Sequence, residues 1–208
     1  MKLQLALDDI TLENAVELVK SVEAHIDIIE VGTPMVIEYG MEAVRTMKKN
    51  FPGKEVLADL KIMDAGYYEA EEALKAGADH ITVLGVTDNL TIKGCVDAAA
   101  AYNGQVVVDM ICVADLEERI KKVEELGVDF VSVHIGVDQQ AAGRTPIDDL
   151  KIMSRVAKKA KVSVAGGISV KTIEEYKEYA PEVVIVGSGI THAENSLLAA
   201  AELKAAIE

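Results

Sequence analysis

Cysteine is scarce in this chain: Cys95 and Cys112 are the only two in 208 residues, and they form no Cys-x-x-Cys pair. A chain of this kind is expected to be reduced and cytoplasmic, with no disulfide framework. Basic residues are also in deficit, 21 Lys and Arg against 35 Asp and Glu, for a formal net charge of −14. Such a surface repels nucleic acid and anionic membranes unless it carries a strong basic patch. The densest candidate, Lys158, Lys159 and Lys161, reads as the solvated end of a helix, so neither partner is expected. Long apolar runs are missing too. Met1-Lys2-Leu3-Gln4-Leu5 leads directly into a strand-like stretch, and no segment has the length of a membrane span, so neither leader nor anchor is expected. Finally, no Gly-x-Gly-x-x-Gly follows the first strand, which counts against a dinucleotide-binding domain.

What the chain does have is a repeating unit: a short apolar run, then a longer amphipathic segment. The runs are Leu3–Asp8, Ile26–Val31, Glu55–Lys61, His80–Leu84, Val106–Ile111, Phe130–His134, Val162–Ala165 and Val183–Val186. Most are continuous in Val and Ile, as strands covered on both faces by helices should be. Between them, Leu12–Ala24, Met35–Asn50, Leu116–Glu125 and Ala193–Ile207 carry apolar residues at helical spacing. Thr11 is placed to cap the first helix, Pro34 to sit in the first turn of the second, and Thr191-x-x-Glu194 to form a capping box for the last. Eight such units without a long linker predict one α/β domain over residues 1–208, a closed (β/α)8 TIM barrel rather than an open sheet. Asp79 and Asp129 fall at strand starts and are assigned to structure.

In such a barrel, chemistry belongs at the carboxyl ends of the strands. There the chain places Asp8, Glu30, Asp59, Lys61, Asp109 and His134. An isolated buried charge costs several kcal/mol and aids no packing, so a convergent set points to a site. Residues two apart on a strand share a face, so Asp59 and Lys61 should both point into the mouth. With Asp64 just beyond on the loop, they suggest a carboxylate–ammonium–carboxylate array. Late in the chain, Gly166-Gly167 ends strand seven and Gly187-Ser188-Gly189 ends strand eight, each leading into a helix. Glycine admits a ligand close to the backbone, and helix-start amides hold anions, so these five residues are the expected phosphate cradle. Both thiols read as buried and inert, and His25, His80 and His192 as structural.

The Asp59-x-Lys61-x-x-Asp64 motif, Glu30-Val31-Gly32 after strand two and the two late glycine loops resemble the orotidine-monophosphate decarboxylase superfamily. Within that superfamily the likeness to the 3-hexulose-6-phosphate synthase family runs nearly end to end. It is carried by Leu3–Asp8, Asp27–Pro34, Val56–Gly66, Val108–Ile111 and Gln140–Gly143. The resemblance implies a ribulose-phosphate-binding barrel and a reversible, Mg2+-dependent aldol reaction joining formaldehyde to D-ribulose 5-phosphate. It implies Glu30 and Asp59 as metal ligands, Lys61 as a substrate contact and His134 as acid–base group. It also implies a homodimer in which Asp64 reaches the neighbouring subunit's site. Lys61, flanked by carboxylates, should stay charged and so is a poor imine-former, which favours a hard, oxygen-ligated cation as the electron sink. On this reading His134 takes the C1 proton, while Asp8 and Asp109 orient hydroxyls or tune neighbours. The related 3-keto-L-gulonate-6-phosphate decarboxylases carry arginine, glutamate, threonine and arginine where this chain has Val137, Asp109, Ala165 and Ser188. A decarboxylase and a non-catalytic sugar-phosphate-binding barrel stand as alternatives, and the physiological direction of the aldol reaction is open.

Overall fold

The computed structural model describes all 208 residues. Eight parallel strands close into a barrel in sequence order: β1 (Lys2–Leu7), β2 (Ile28–Val31), β3 (Glu55–Ile62), β4 (His80–Leu84), β5 (Gln105–Asp109), β6 (Phe130–His134), β7 (Lys161–Ala165) and β8 (Val183–Val186). β1 pairs with both β2 and β8, which leaves no free edge. Helices cover the outside, and none is long and apolar enough to cross a membrane.

The sequence places all eight strands, with ends shifted by at most two residues. Three aspartates help to set their register. Asp27, Asp79 and Asp129 stand just before β2, β4 and β6, and each carboxylate accepts a backbone N–H from the neighbouring strand: Leu3 at 2.7 Å, Val56 at 2.7 Å and Val106 at 2.9 Å. The structural assignment of Asp79 and Asp129 therefore holds, and Asp27 joins them.

Helix termini follow the expected chemistry at the start of the chain. Thr11 accepts from Asn14 N–H at 3.3 Å, and Pro34 lies in the first turn of helix Thr33–Tyr39. Two expectations need correction. Met35–Asn50 is two helices, Thr33–Tyr39 and Met41–Asn50, broken at Gly40 with φ 58° and ψ −152°. The capping box at Thr191–Glu194 does not form: Thr191 closes a short helix, Ser188–Thr191, and Asn195 caps Ser196–Ile207 by accepting from Leu198 N–H at 3.0 Å. Asparagine adjoining the first helical residue is the better N-cap, so the helix starts there.

Apolar side chains fill two shells. One lies between strands and helices and includes Leu3, Leu5, Ile29, Val56, Ile81 and Val164. The other fills the barrel interior with Ile28, Leu57, Val107, Phe130 and Val183, a packed floor rather than a pore. Below that floor the barrel closes with Lys2, Glu55 and His80; above it most interior positions turn polar, with Gln4, Glu30, Asp59, Thr82, Asp109, Ser132 and Ser163 buried there.

Candidate active site

The site is organised around an irregularity in β3. Ala58 pairs with Ile81 and Ile62 with Val83, so four steps along β3 match only two along β4. The surplus lies in Asp59-Leu60-Lys61, a bulge of the kind that re-aims side chains at a barrel rim. Lys61 sits there with φ 48°, in the left-handed region where a side chain costs about 1–3 kcal/mol unless its surroundings over-determine it. They do. Its ammonium pairs with Asp59 Oδ2 and donates to Thr33 Oγ1 at 3.1 Å, and its backbone N–H donates to Thr82 Oγ1 at 2.9 Å. Thr82 in turn donates to Asp59 Oδ1 at 2.7 Å, and Thr33 donates toward Asp59 at 2.8 Å.

These contacts fix the charge states. Burial alone would raise the Asp59 carboxyl, but Lys61 and the hydroxyl donors outweigh it and hold the group below its ordinary value. Burial alone would lower the Lys61 ammonium, yet Asp59 first, then Asp109 and Glu30, raise it above its ordinary value. Lys61 is thus a fixed cation, as expected, and no imine-former. The expected array needs one correction. Its second carboxylate is Asp109, 3.8 Å from Lys61 Nζ; Asp64 is exposed and bonds the N–H of Ala65 at 2.7 Å. Three residues beyond Lys61 the chain has left the strand, so Asp64 follows the loop outward.

Glu30 is buried on β2 with one partner, Gln4 Nε2, which donates to Oε2 at 2.6 Å. Burial first, and the Asp59 charge second, push its carboxyl up to about 8. Asp8, just past β1, is raised for the same two reasons. Its carboxylate fits because residue 32 is glycine: a Cβ there would stand 2.1 Å from Asp8 Oδ1 and 2.6 Å from Leu7 O. On the opposite wall Asp109 is buried, accepts from Ile111 N–H at 2.9 Å and holds His134 Nδ1 at 2.8 Å. That bond leaves the half-buried ring's Nε2 as the free nitrogen. Glu30 and Asp59 are buried carboxylates close enough for the Asp59 charge to act on Glu30, and no group of three His, Cys, Asp or Glu side chains forms a ready-made metal cage.

Both glycine loops end their strands as expected, but only Gly187-Ser188-Gly189 leads directly into a helix; after Gly167 the next helix starts at Glu174. Gly166 and Gly167 have φ 123° and 68°, values that L side chains rarely adopt, and Gly187 lies beside Ala6 and Asp8. Ser188 and Gly189 begin the short helix after β8, so their amides lack intrahelical acceptors. The loops touch each other, since a Cβ on Gly189 would meet Ile168 O at 2.6 Å. Elsewhere, His80 bonds Glu55 at the far end of the barrel and His192 pairs with Asp9 at 2.7 Å on the surface. Cys95 is buried with its thiol pushed up to about 12 by burial, whereas Cys112 is exposed, against expectation, on a residue with φ 60°.

Sequence reading missed Gln4, Thr33 and Thr82. Alternation from Asp8 and Glu30 puts Gln4 on the inward face, which was a usable signal. Thr82 gave none, because β-branched residues are ordinary in strands, and Thr33 gave none because it opens a helix, where threonine is equally ordinary.

The segments following β2, β3 and β4, mostly the first turns of helices, carry exposed apolar side chains that we call the rim. Ile37 and Leu90 are 81% and 82% exposed, and Met63, Tyr67 and Tyr68 lie between them in the chain. The rim is braced from below: Arg119 donates to Gly85 O, Thr87 O and Asn89 Oδ1, and Thr87 Oγ1 donates to Met63 O beside Asp64.

Comparison with known proteins finds relatives over nearly the whole chain. A 3-hexulose-6-phosphate synthase of Bacillus subtilis (strain 168) is 49% identical over 204 residues, covering 98% of this chain and 97% of the relative. The crystal structure of 3-hexulose-6-phosphate synthase from Salmonella typhimurium superposes with a TM-score of 0.98 at 53% identity, covering 100% of this chain and 98% of that one. A 3-keto-L-gulonate-6-phosphate decarboxylase structure from Vibrio cholerae O1 biovar El Tor str. N16961 is more distant, at 30% identity and TM-score 0.87, covering 99% and 96%. The family model described as orotidine 5'-phosphate decarboxylase / HUMPS family matches residues 1–203. By fold, by the convergence of charge at one mouth and by sequence over nearly its whole length, the chain is an enzyme of the orotidine 5'-phosphate decarboxylase / HUMPS family.

Proposed function

We propose that this enzyme catalyses the reversible aldol joining of formaldehyde to D-ribulose 5-phosphate, giving D-arabino-hex-3-ulose 6-phosphate. The observation that carries the proposal is the facing of two preorganised units. A charged Asp59–Lys61 pair, with Glu30 beside it, stands across the mouth from the Asp109–His134 dyad. The names of the relatives at 49% and 53% identity support the same reading over the decarboxylase at 30%.

The donor set fits a magnesium ion. Glu30 has no cationic partner, and its carboxyl is raised first by burial and next by the neighbouring Asp59 charge, so a cation placed there would favour its ionised form. Two carboxylates are enough, since magnesium keeps waters and takes substrate oxygens for its remaining positions. Bound by Glu30 and Asp59, the ion would supply Lewis-acid polarisation of the C2 carbonyl and neighbouring hydroxyl.

The chain's own groups do the rest. With Nδ1–H donating to Asp109, His134 presents a basic Nε2 that removes the C1 proton. Lys61 offers fixed positive charge to the oxyanion that develops. The C1 carbanion attacks the formaldehyde carbon, the new C–C bond forms as the C=O π pair moves to oxygen, and that alkoxide takes up a proton. The former C2 carbonyl becomes C3 of the product. Amides of Gly166, Gly167, Gly187, Ser188 and Gly189 hold the 5-phosphate. A homodimer closes the site, with the apolar rim as the contact and Asp64 extended toward the neighbour; burying Ile37, Met63, Tyr68 and Leu90 supplies the drive. Two unpaired cysteines fit a reducing cytoplasm.

The test is one assay. Ribulose 5-phosphate should disappear only with formaldehyde and magnesium present, and EDTA should stop it. Release of carbon dioxide from a keto-sugar acid phosphate, without formaldehyde-dependent loss of ribulose 5-phosphate, would assign the decarboxylase instead.

A further inference from the structure

We infer that Thr82, which lies on β4 and outside the charged set, is a positioning residue for the reaction, acting by holding Lys61 and Asp59 in their working geometry. The inference rests on the proposed function of those two groups. The observation behind it is the pair of bonds made by a single hydroxyl. Thr82 Oγ1 accepts the Lys61 backbone N–H at 2.9 Å and donates to Asp59 Oδ1 at 2.7 Å.

Both bonds fall inside the β3 bulge, where the ladder between Ala58 and Ile62 is out of step with β4. Residues of a parallel strand bond its two neighbours alternately: Val56 faces β4 and the Asp59 carbonyl faces the β2 side, so a regular Lys61 N–H would face β2, whereas the bulge turns it to β4, where a side chain receives it. A hydroxyl has one proton and two lone pairs, so giving its proton to the carboxylate leaves a lone pair for the amide. Each partner therefore orients the other. Thr33 also touches Asp59 and the Lys61 ammonium, but from β2's side and without contact to the Lys61 backbone. Thr82 is the group that ties the left-handed backbone at Lys61 to the carboxylate its ammonium pairs with. Threonine suits the task because its β-branched side chain has few rotamers in a strand.

The hydroxyl can be removed without changing shape. Thr82→Val is nearly isosteric, Thr82→Ala removes the same group without added apolar bulk, and Thr82→Ser keeps the hydroxyl. Misplacing a reacting group by about 1 Å costs on the order of 100-fold in rate. Thr82→Val and Thr82→Ala should thus lower kcat about 30- to 100-fold per folded enzyme, with KM for ribulose 5-phosphate changed less than about threefold. Amide hydrogen exchange at Lys61, followed by NMR, should accelerate in both, and Thr82→Ser should restore both kcat and protection. Unchanged exchange in Thr82→Val, unchanged kcat despite faster exchange, or a serine variant as impaired as valine would each overturn the inference. A wild-type enzyme inactive toward ribulose 5-phosphate and formaldehyde would sink the proposed function, and the Lys61 exchange would then still decide whether Thr82 holds that backbone.

Discussion

Glu55 opens β3 at the end of the barrel opposite the mouth, four residues and roughly 13 Å of strand below Asp59. Its carboxylate accepts from His80 at 2.7 Å and from Lys2 at 2.5 Å. His80 stands edge-on to Phe130, with ring centroids 5.9 Å apart, and Lys161 Nζ lies 5.4 Å from the same ring, so the cluster seals the barrel floor. The His80 bond first, and Lys2 next, lower the carboxyl from 4.5 to about 2 against the opposing effect of burial. A folded value below the unfolded one means stabilisation that is complete well above pH 4.5 and lost as pH falls toward 2. The gap corresponds to ~3 kcal/mol at most, and because the Glu55 side chain is 37% exposed, ~1–2 kcal/mol is the reasonable figure after solvent screening. Glu55→Gln keeps the shape and removes the charge. In a chain of 208 residues that should lower Tm by about 3–6 °C at pH 7. Urea unfolding at pH 7 and pH 3 should show the difference shrinking to less than half, while kcat at pH 7 stays within about twofold of wild type. A stability loss of equal size at both pH values would refute the linkage. A loss of activity in a variant of normal Tm would refute the division between a structural floor and a chemical mouth.

Two further predictions concern the mouth. His134→Asn retains an amide able to bond Asp109 but has no base, so exchange of the ribulose 5-phosphate C1 proton into deuterated water should slow by at least ~100-fold; undiminished exchange removes His134 from that step. If Asp64 serves the neighbouring subunit, Lys61→Ala and Asp64→Ala enzymes, each inactive alone, should recover about a quarter of wild-type activity after unfolding and refolding together. Half the dimers would then be mixed, each with one intact site. No recovery would place Asp64 within its own subunit's site or outside the chemistry.

The barrel was legible because its strands are buried on both faces, so β1 to β8 read as near-continuous Val and Ile runs that the closed sheet requires. Glu30, Asp59, Asp109 and His134 were legible for the converse reason, as charges where packing has no use for them. What alternation cannot see is a bulge. It placed Lys61 on the inward face correctly, but by a rule that assumes regular backbone, whereas the side chain arrives there through a left-handed residue in an out-of-step ladder. The same blindness assigned Asp64 as the second partner of Lys61: proximity in sequence stood in for Asp109, which is 48 residues away and reaches Lys61 only because the barrel closes. Helix boundaries failed where a stronger local signal stood four residues on, as with Asn195 against Thr191.

The two ends of this barrel show how one residue type is assigned to stability or to chemistry by its partners. Glu55 and Glu30 are both glutamates on neighbouring strands facing the interior. Glu55 has a histidine and a lysine, and its carboxyl lies at about 2. Glu30 has a single amide, Gln4, with Asp59 and Asp8 nearby, and its carboxyl lies at about 8. A fold selected only for stability would gain by making residue 30 apolar, because burying an unpaired carboxylate costs several kcal/mol and contributes no packing that a leucine would not. Retaining it next to two further carboxylates makes sense when something positively charged arrives to complete the site, and Lys61, already committed to Asp59, cannot be that group. The raised carboxyl of Glu30, due first to burial and next to the Asp59 charge, is therefore the physical basis for proposing a cation at the mouth, since a cation would favour the ionised form that burial disfavours.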